Sequence, residues 1–198
     1  MASLLLASGG LDSTVIAGTL HPKIHLTVDY GQNHARREIE AASAIAEHYK
    51  AEHILLPAHW LAGLLPSSLT GRHGELSGAD TVVPARNTIL LSLGLGVAMA
   101  RGCETVLIGV NASDRAVYPD CRPEFVTAFN DLALVASEGT VGVWAPLLYD
   151  DKKAIGRTAR LHQVPVELTW SCYLDGEVPC GRCGACQQRE EALGVHDH

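Results

Sequence analysis

Basic residues are scarce in this chain: 15 Lys and Arg stand against 22 Asp and Glu in 198 residues, a formal net charge of −7 with histidine neutral. Aromatics are scarcer still, at 5%, and no stretch interleaves them with Lys or Arg. Both shortages argue against a surface that wraps duplex nucleic acid or stacks single strands, which needs clustered cations or exposed rings. A small anionic substrate held in one local pocket is not excluded. Long apolar runs are also missing. The longest, residues 89–100, is too short to span a bilayer and carries Ser92, Gly94 and Gly96, so no membrane association is expected. Six cysteines, four of them clustered, are too unevenly placed for a secreted disulfide framework. The apolar opening, residues 1–6, is short and has no basic leader, so it reads as a first strand and the expected location is cytoplasmic. Repeats and linkers are absent. With 47% hydrophobic and 19% charged residues, the composition is that of a globular chain of one ordinary domain with room for a small appended module.

What is present alternates. Residues 4–7 are a short apolar run ending in a glycine turn, which suits a buried parallel strand. Further strands are expected at 24–29, 53–56, 105–110 and 141–144. Helices are expected at 13–20, 35–50, 86–101, from Pro123 to about 137, and at 152–161. In the second helix Ile39, Ala42, Ile45, Ala46 and Tyr49 share one face. This alternation predicts an α/β fold: a doubly wound, five-stranded, mainly parallel sheet covered on both faces. Ligands of such sheets lie beyond the carboxyl ends of the strands, where Ser8, Asp29 and Asn111 fall. Residues 57–84 hold Gly, Ser and Pro clusters without a period, a connection long enough to be functional or mobile. The expected organisation is an α/β domain over 1–167 and a small module over 168–198 packed on it.

The turn after the first strand reads Ser8-Gly9-Gly10-Leu11-Asp12-Ser13. Consecutive glycines there let backbone N–H groups turn around an anion, and the following helix adds its positive end. Ser8 and Ser13 can donate hydroxyl hydrogen bonds, while Asp12 repels phosphate unless a cation bridges them, which suggests Mg²⁺. A plain strand-to-helix turn using glycine for its conformational freedom is the bland alternative. The complete hexapeptide at this spot resembles the signature of the PP-loop ATP pyrophosphatase superfamily, and the Walker lysine is absent. That resemblance implies ATP-dependent adenylation of a substrate oxygen with release of pyrophosphate. Lys152, after the fifth strand, falls where the superfamily often sets a phosphate-binding lysine; a solvated lysine at a helix start is the other reading.

Cys172, Cys180, Cys183 and Cys186 lie within fifteen residues near the C-terminus. Four thiolates close a tetrahedral shell and leave no open position, which favours structural Zn²⁺. An iron–sulfur cluster or free thiols are the alternatives. Cys103 and Cys121 stand apart, with Cys103 expected in the core. His196 and His198 look ligand-like, but a frayed tail is the preferred account.

Six segments recur in order after the glycine turn: Asp29-Tyr30-Gly31-Gln32, Val83-Pro84-Ala85-Arg86-Asn87-Thr88, Gly109-Val110-Asn111, Tyr118-Pro119-Asp120-Cys121-Arg122-Pro123-Glu124-Phe125, Thr169-Trp170-Ser171-Cys172-Tyr173 and Cys180-Gly181-Arg182-Cys183-Gly184-Ala185-Cys186. Together they closely resemble the 7-cyano-7-deazaguanine synthase family over nearly the whole chain. The resemblance implies that ATP activates the carboxylate of 7-carboxy-7-deazaguanine, that ammonia forms the amide, and that a second ATP activates the amide oxygen, whose loss leaves the nitrile. It also implies a zinc-stabilised homodimer. Asp29, Arg86 and Asn87 are expected with ATP beside residues 8–13, and Tyr30, Gln32, Asn111, Tyr118, Asp120 and Glu124 with the deazapurine. Arg122 would pair with a carboxylate or phosphate and join Asp12 and Lys152 in the chemistry. Asp120 and Glu124 as mere caps of the helix after Pro123 is the plainer account.

The chain departs from the family pattern at Arg115-Ala116-Val117, where Tyr-Ser-Gly is expected, and at Lys153-Ala154, where an acidic residue is usual. An offshoot of the family, active in antiviral defence, joins the activated base to a protein amine instead of ammonia. That conjugation, or arrest at the amide, is the alternative activity. A zinc-knuckle RNA-binding module is a third reading, opposed by the acidic balance.

Overall fold

The computed structural model describes residues 2–71 and 74–194; His196 and His198 lie outside the described residues. Strands β1 (Ser3–Leu6), β2 (Ile24–Asp29), β3 (Glu52–Pro57), β4 (Thr105–Leu107) and β5 (Gly142–Trp144) make one sheet in the order β3-β2-β1-β4-β5. Every neighbouring pair is parallel, so the sheet is wholly and not just mainly parallel. Leu4, Leu6, Leu26 and Val106 enter one core, while Leu5 and Leu107 enter the core on the opposite face. Pleating alternates successive side chains between faces, and a sheet covered on both sides therefore shows unbroken apolar runs such as Leu4-Leu5-Leu6.

Six helices follow: α1 (Leu11–Leu20), α2 (Ala35–His48), α3 (Arg86–Arg101), α4 (Pro123–Ala136), α5 (Lys152–Leu161) and α6 (Gly184–Leu193). Helix α3 packs on β1 and β4 and α4 on β5, while α1 packs on β1 and α5. Helix α6 has no counterpart in the sequence reading. It buries only Cys186 and Ala192, so it carries no apolar stripe to betray it. Its place is fixed by α5, where a Cβ on Gly156 would stand 1.7 Å from the Ala192 carbonyl oxygen. Glycine alone admits that approach.

The run Gly78–Arg101 is long and apolar enough by length and composition to cross a membrane, longer than the residues 89–100 singled out in the sequence. It comprises a 3-10 turn over Gly78–Thr81 and then α3, which packs on the central strands. Within the long β3–α3 connection, a second 3-10 turn (His59–Gly63) leads to a tight fold in which Ser68 N donates to the Asp80 carbonyl at 3.0 Å. Thr70 Oγ1 donates to the Leu65 carbonyl at 2.7 Å. These bonds deliver Leu69, 1% exposed, into the core.

The chain winds from β1 outward through β2 and β3, then returns past β1 to β4 and β5. The loops leaving β1 and β4 therefore diverge, and such a switch point opens a crevice at the carboxyl ends of the strands.

Candidate active site

A cavity of about 250 Å³ occupies that crevice. Its floor is the β1–α1 turn. Gly9 adopts φ +72°, and a Cβ there would stand 2.7 Å from Ala42 N and Glu38 O, so the turn is pressed against the backbone of α2. Gly10 N donates to Ser8 Oγ at 3.2 Å, and Ser13 Oγ donates to the Gly10 carbonyl at 3.1 Å. Gly10 supplies no side-chain cap, which leaves the first amides of α1 for an anion.

Asp12 stands one residue into α1. Its Oδ2 accepts from Lys152 Nζ at 2.7 Å and from Asn111 Nδ2 at 3.1 Å, while its buried Oδ1 has no hydrogen-bond partner. Lys152 reaches it because Asp151 caps α5, Oδ1 accepting from Ala154 N at 2.7 Å, and so sets Lys152 at the first helical position. Burial opposes the charge on Lys152, whose side chain is 8% exposed, but Asp12 and Asp114 outweigh it and hold the ammonium above its ordinary pKa. Asn111 is buried; its Oδ1 accepts from Ser113 N at 2.9 Å, leaving Nδ2 to bridge Asp12 and Asp114, the latter at 2.7 Å. Burial, with the nearby Asp12 charge, pushes the Asp114 carboxyl up against the pull of Lys152 and Arg86.

A second polar group faces the cavity from α3. Arg86 opens that helix, its guanidinium 5.7 Å from the ring centroid of Tyr118 and hydrogen-bonded to the Tyr30 hydroxyl. Tyr118 shares a 2.6 Å hydrogen bond with Thr81 Oγ1 and another with Tyr173. Burial raises the pKa of both Tyr30 and Tyr173, so these phenols stay neutral. Next to them, Glu38 accepts from Gln32 Nε2 at 2.5 Å and lies 3.5 Å from His34 Nε2. Cys121 also lines the cavity, but burial pushes its thiol up to about 12, which leaves it unsuited as a nucleophile.

Of the residues expected at the site, Ser8, Gly10, Leu11, Asp12, Ser13, Tyr30, Arg86, Asn87, Tyr118 and Lys152 line this cavity. Gly9, Gln32 and Asn111 support it from behind. Asp29 turns to its own loop, accepting from Gly31 N at 3.0 Å. Asp120 caps α3, not the helix after Pro123: its Oδ2 accepts from Asn87 N at 3.0 Å. Arg122 is exposed and donates to the Arg115 carbonyl at 3.2 Å, and Glu124 is exposed on α4. The sequence reading passed over His34, Glu38, Asp114, Tyr173, Gln188 and Arg189, all of which line the cavity. Arg115, in the departing loop, donates to the Leu148 carbonyl and lies over the Tyr149 ring at 5.0 Å, outside the cavity lining.

The four cysteine sulfurs all lie within 4.8 Å of one another. Sulfurs around one tetrahedral Zn²⁺ stand about 3.8 Å apart, so the group fits an ion of that kind. Leu174 N and Cys180 N both point at Cys172 Sγ, at 3.4 and 3.3 Å. The group adjoins the cavity through Ser171 and Tyr173 on one side and Ala185 and Gln188 on the other.

A solved structure of the U34-tRNA thiolase NcsA from Methanococcus maripaludis with its [4Fe-4S] cluster superposes with TM-score 0.57 at 19% identity, covering 98% of this chain but 64% of that one. At that identity it speaks for the fold alone. Closer in sequence are the 7-cyano-7-deazaguanine synthases of Synechococcus sp. (strain CC9311), 43% identical over 96% of this chain and 92% of that protein, and of Ruegeria sp. (strain TM1040), 39% identical over 98% and 88%. That of Brucella anthropi is 37% identical over 100% and 92%. The model of the family described as queuosine biosynthesis protein QueC matches residues 2–196. Matched almost end to end by that model and by relatives that align over nearly their own full lengths, the chain belongs to the QueC family of queuosine biosynthesis proteins.

Proposed function

We propose that this chain is an ATP-dependent C–N ligase that converts 7-carboxy-7-deazaguanine to 7-cyano-7-deazaguanine. The carboxylate attacks the α-phosphorus of ATP and expels pyrophosphate; ammonia displaces AMP to give the amide. The amide oxygen attacks the α-phosphorus of a second ATP and expels a second pyrophosphate, and loss of AMP and of both amide protons leaves the nitrile. Adenylation is needed because a carboxylate oxygen is a very poor leaving group. The observation that carries the reading is the Asp12–Lys152–Asn111 cluster beside the open amides of α1 at the switch point, in a member of this family.

Entry of the triphosphate gives Lys152 an anion richer than Asp12 to neutralise, while the α1 amides and the Ser8 and Ser13 hydroxyls take phosphate oxygens. Asp12, with Oδ1 unpartnered, is the carboxylate that would hold the Mg²⁺ of the nucleotide, which supplies charge neutralisation at the departing pyrophosphate. The Cys172, Cys180, Cys183 and Cys186 set would hold a structural Zn²⁺ in a module from residue 168 onward. A homodimer in the cytoplasm completes the reading. The departing Arg115 is engaged with Leu148 and Tyr149 outside the cavity lining, so the amine acceptor proposed is ammonia. Mass spectrometry of a reaction with the acid, ATP and ammonium tests this: the nitrile, one water lighter than the amide, is expected. Accumulation of amide alone, or no AMP, would refute it.

A further inference from the structure

We propose that Arg86, with Tyr30, Tyr118 and Tyr173, forms the subsite that grips the carboxylate of the deazapurine acid, separate from the turn that takes the phosphates. This rests on the activity proposed above and assigns Arg86 to the acid instead of to ATP.

The argument starts from a cation in an unfavourable place. Arg86 is the first residue of α3, where the helix presents its positive end, and burial opposes its charge, an effect that the neighbouring Tyr30, Tyr173 and Tyr118 outweigh without supplying a carboxylate. Among the described residues no carboxylate oxygen lies within 4.0 Å of it: none of the ion pairs includes Arg86. The acids nearby are committed elsewhere. Asp114 is bonded to Asn111 and Gln188, and Glu38 to Gln32 and His34. A half-buried cation with no anion beside it is stabilised when a ligand supplies one.

The surroundings select which anion. The Tyr30 hydroxyl accepts from Arg86, which leaves its own proton to donate. Tyr118 and Tyr173 add ring surface that suits a flat aromatic acid, and all of them line the cavity. A planar guanidinium matches a carboxylate with two parallel hydrogen bonds. Phosphate has its own donors at Ser8, Ser13 and Lys152. The neutral nitrile gains no ion pair there, so the subsite favours acid over product.

Calorimetry on Arg86→Gln with the acid, the nitrile and a non-hydrolysable ATP analogue tests the assignment. Losing one partner of a buried charge pair weakens binding by on the order of 30-fold or more, and that loss is expected for the acid alone, with the nitrile and the analogue changed less than about threefold. Arg86→Lys, a point charge, should recover part of the acid affinity, and it carries the test if the Gln variant melts early. Equal losses for acid and nitrile, or a loss confined to the ATP analogue, would overturn the subsite while leaving the activity standing. A wild-type protein that binds the analogue but not the acid would overturn both.

Discussion

Oδ2 of Asp12 and Nζ of Lys152 are 2.7 Å apart although 140 residues separate them in the chain. The β1–α1 turn and the start of α5 meet only because the sheet folds β4 and β5 back beside β1. In the activity proposed above, the lysine that takes phosphate is here paired with the acid that takes the cation. Lys152→Met should slow AMP release by about 100- to 1000-fold, the loss seen when one charge-stabilising donor is removed. It should also destabilise by about 1–3 kcal/mol, because Asp12 loses its counter-charge. Adding Asp12→Asn should restore the urea midpoint but not the activity. A double variant no more stable than the single one would show that the pair is not coupled.

Gly9 predicts a different signature. Its φ of +72° and the 2.7 Å approach of the α2 backbone leave no room for a methyl group. Gly9→Ala should lower stability by about 1–3 kcal/mol from backbone strain alone, and more if α2 must shift. Ser8→Ala removes one hydroxyl from the same turn and with it the exposed Gly10 N–Ser8 Oγ bond, so ATP binding should weaken at a stability cost of no more than about 1 kcal/mol. Equal effects on urea midpoint and ATP affinity from both variants would contradict this division.

How much of this was legible in the sequence follows from what is local. The Leu4-Leu5-Leu6 and Thr105-Val106-Leu107 runs announce strands because both faces of the sheet are covered, and the glycine turn announces itself by position. Helix α6 is hidden because a close backbone contact at Gly156 fixes it, not an apolar stripe. Asp114 looks like a loop residue; Lys152 of α5 and Gln188 of α6, both distant in sequence, face it only in the fold. Arg122 and Glu124 flank Pro123, and nothing local says that both turn to solvent. Asp120, expected with the deazapurine or else as a cap of the helix that follows it, caps the helix that begins 34 residues earlier, at Arg86.

Removal of the metal should be felt in the cavity as well as in the fold. Trp170 Nε1 donates to the Cys172 carbonyl at 3.0 Å, and Trp170 N donates to the Gly9 carbonyl at 2.9 Å, so one residue ties the cysteine group to the β1–α1 turn. Elemental analysis is expected to find zinc and no iron. Cys183→Ser should lower solubility and the melting temperature together, as loss of a structural site does. A zinc-free variant that stays soluble and fully active would contradict the structural role.

His25 is expected to weaken the fold in mild acid. It is 0% exposed on β2, and neither ring nitrogen has a hydrogen-bond partner. Burial, reinforced by the neighbouring His53, lowers its pKa from 6.5 to about 4. The unfolded chain takes up a proton near 6.5 that the folded chain refuses until about 4, so the contribution is intact above 6.5 and is lost as pH falls from 6.5 towards 4. A shift of that size corresponds to about 3 kcal/mol at most. His25→Leu should therefore flatten the dependence of the urea midpoint on pH across this window by about one proton, and leave the protein relatively more stable near pH 5 than the parent. If the variant keeps the parent's slope, acid sensitivity originates elsewhere, and His53, whose pKa is also lowered by burial, is the next residue to exchange.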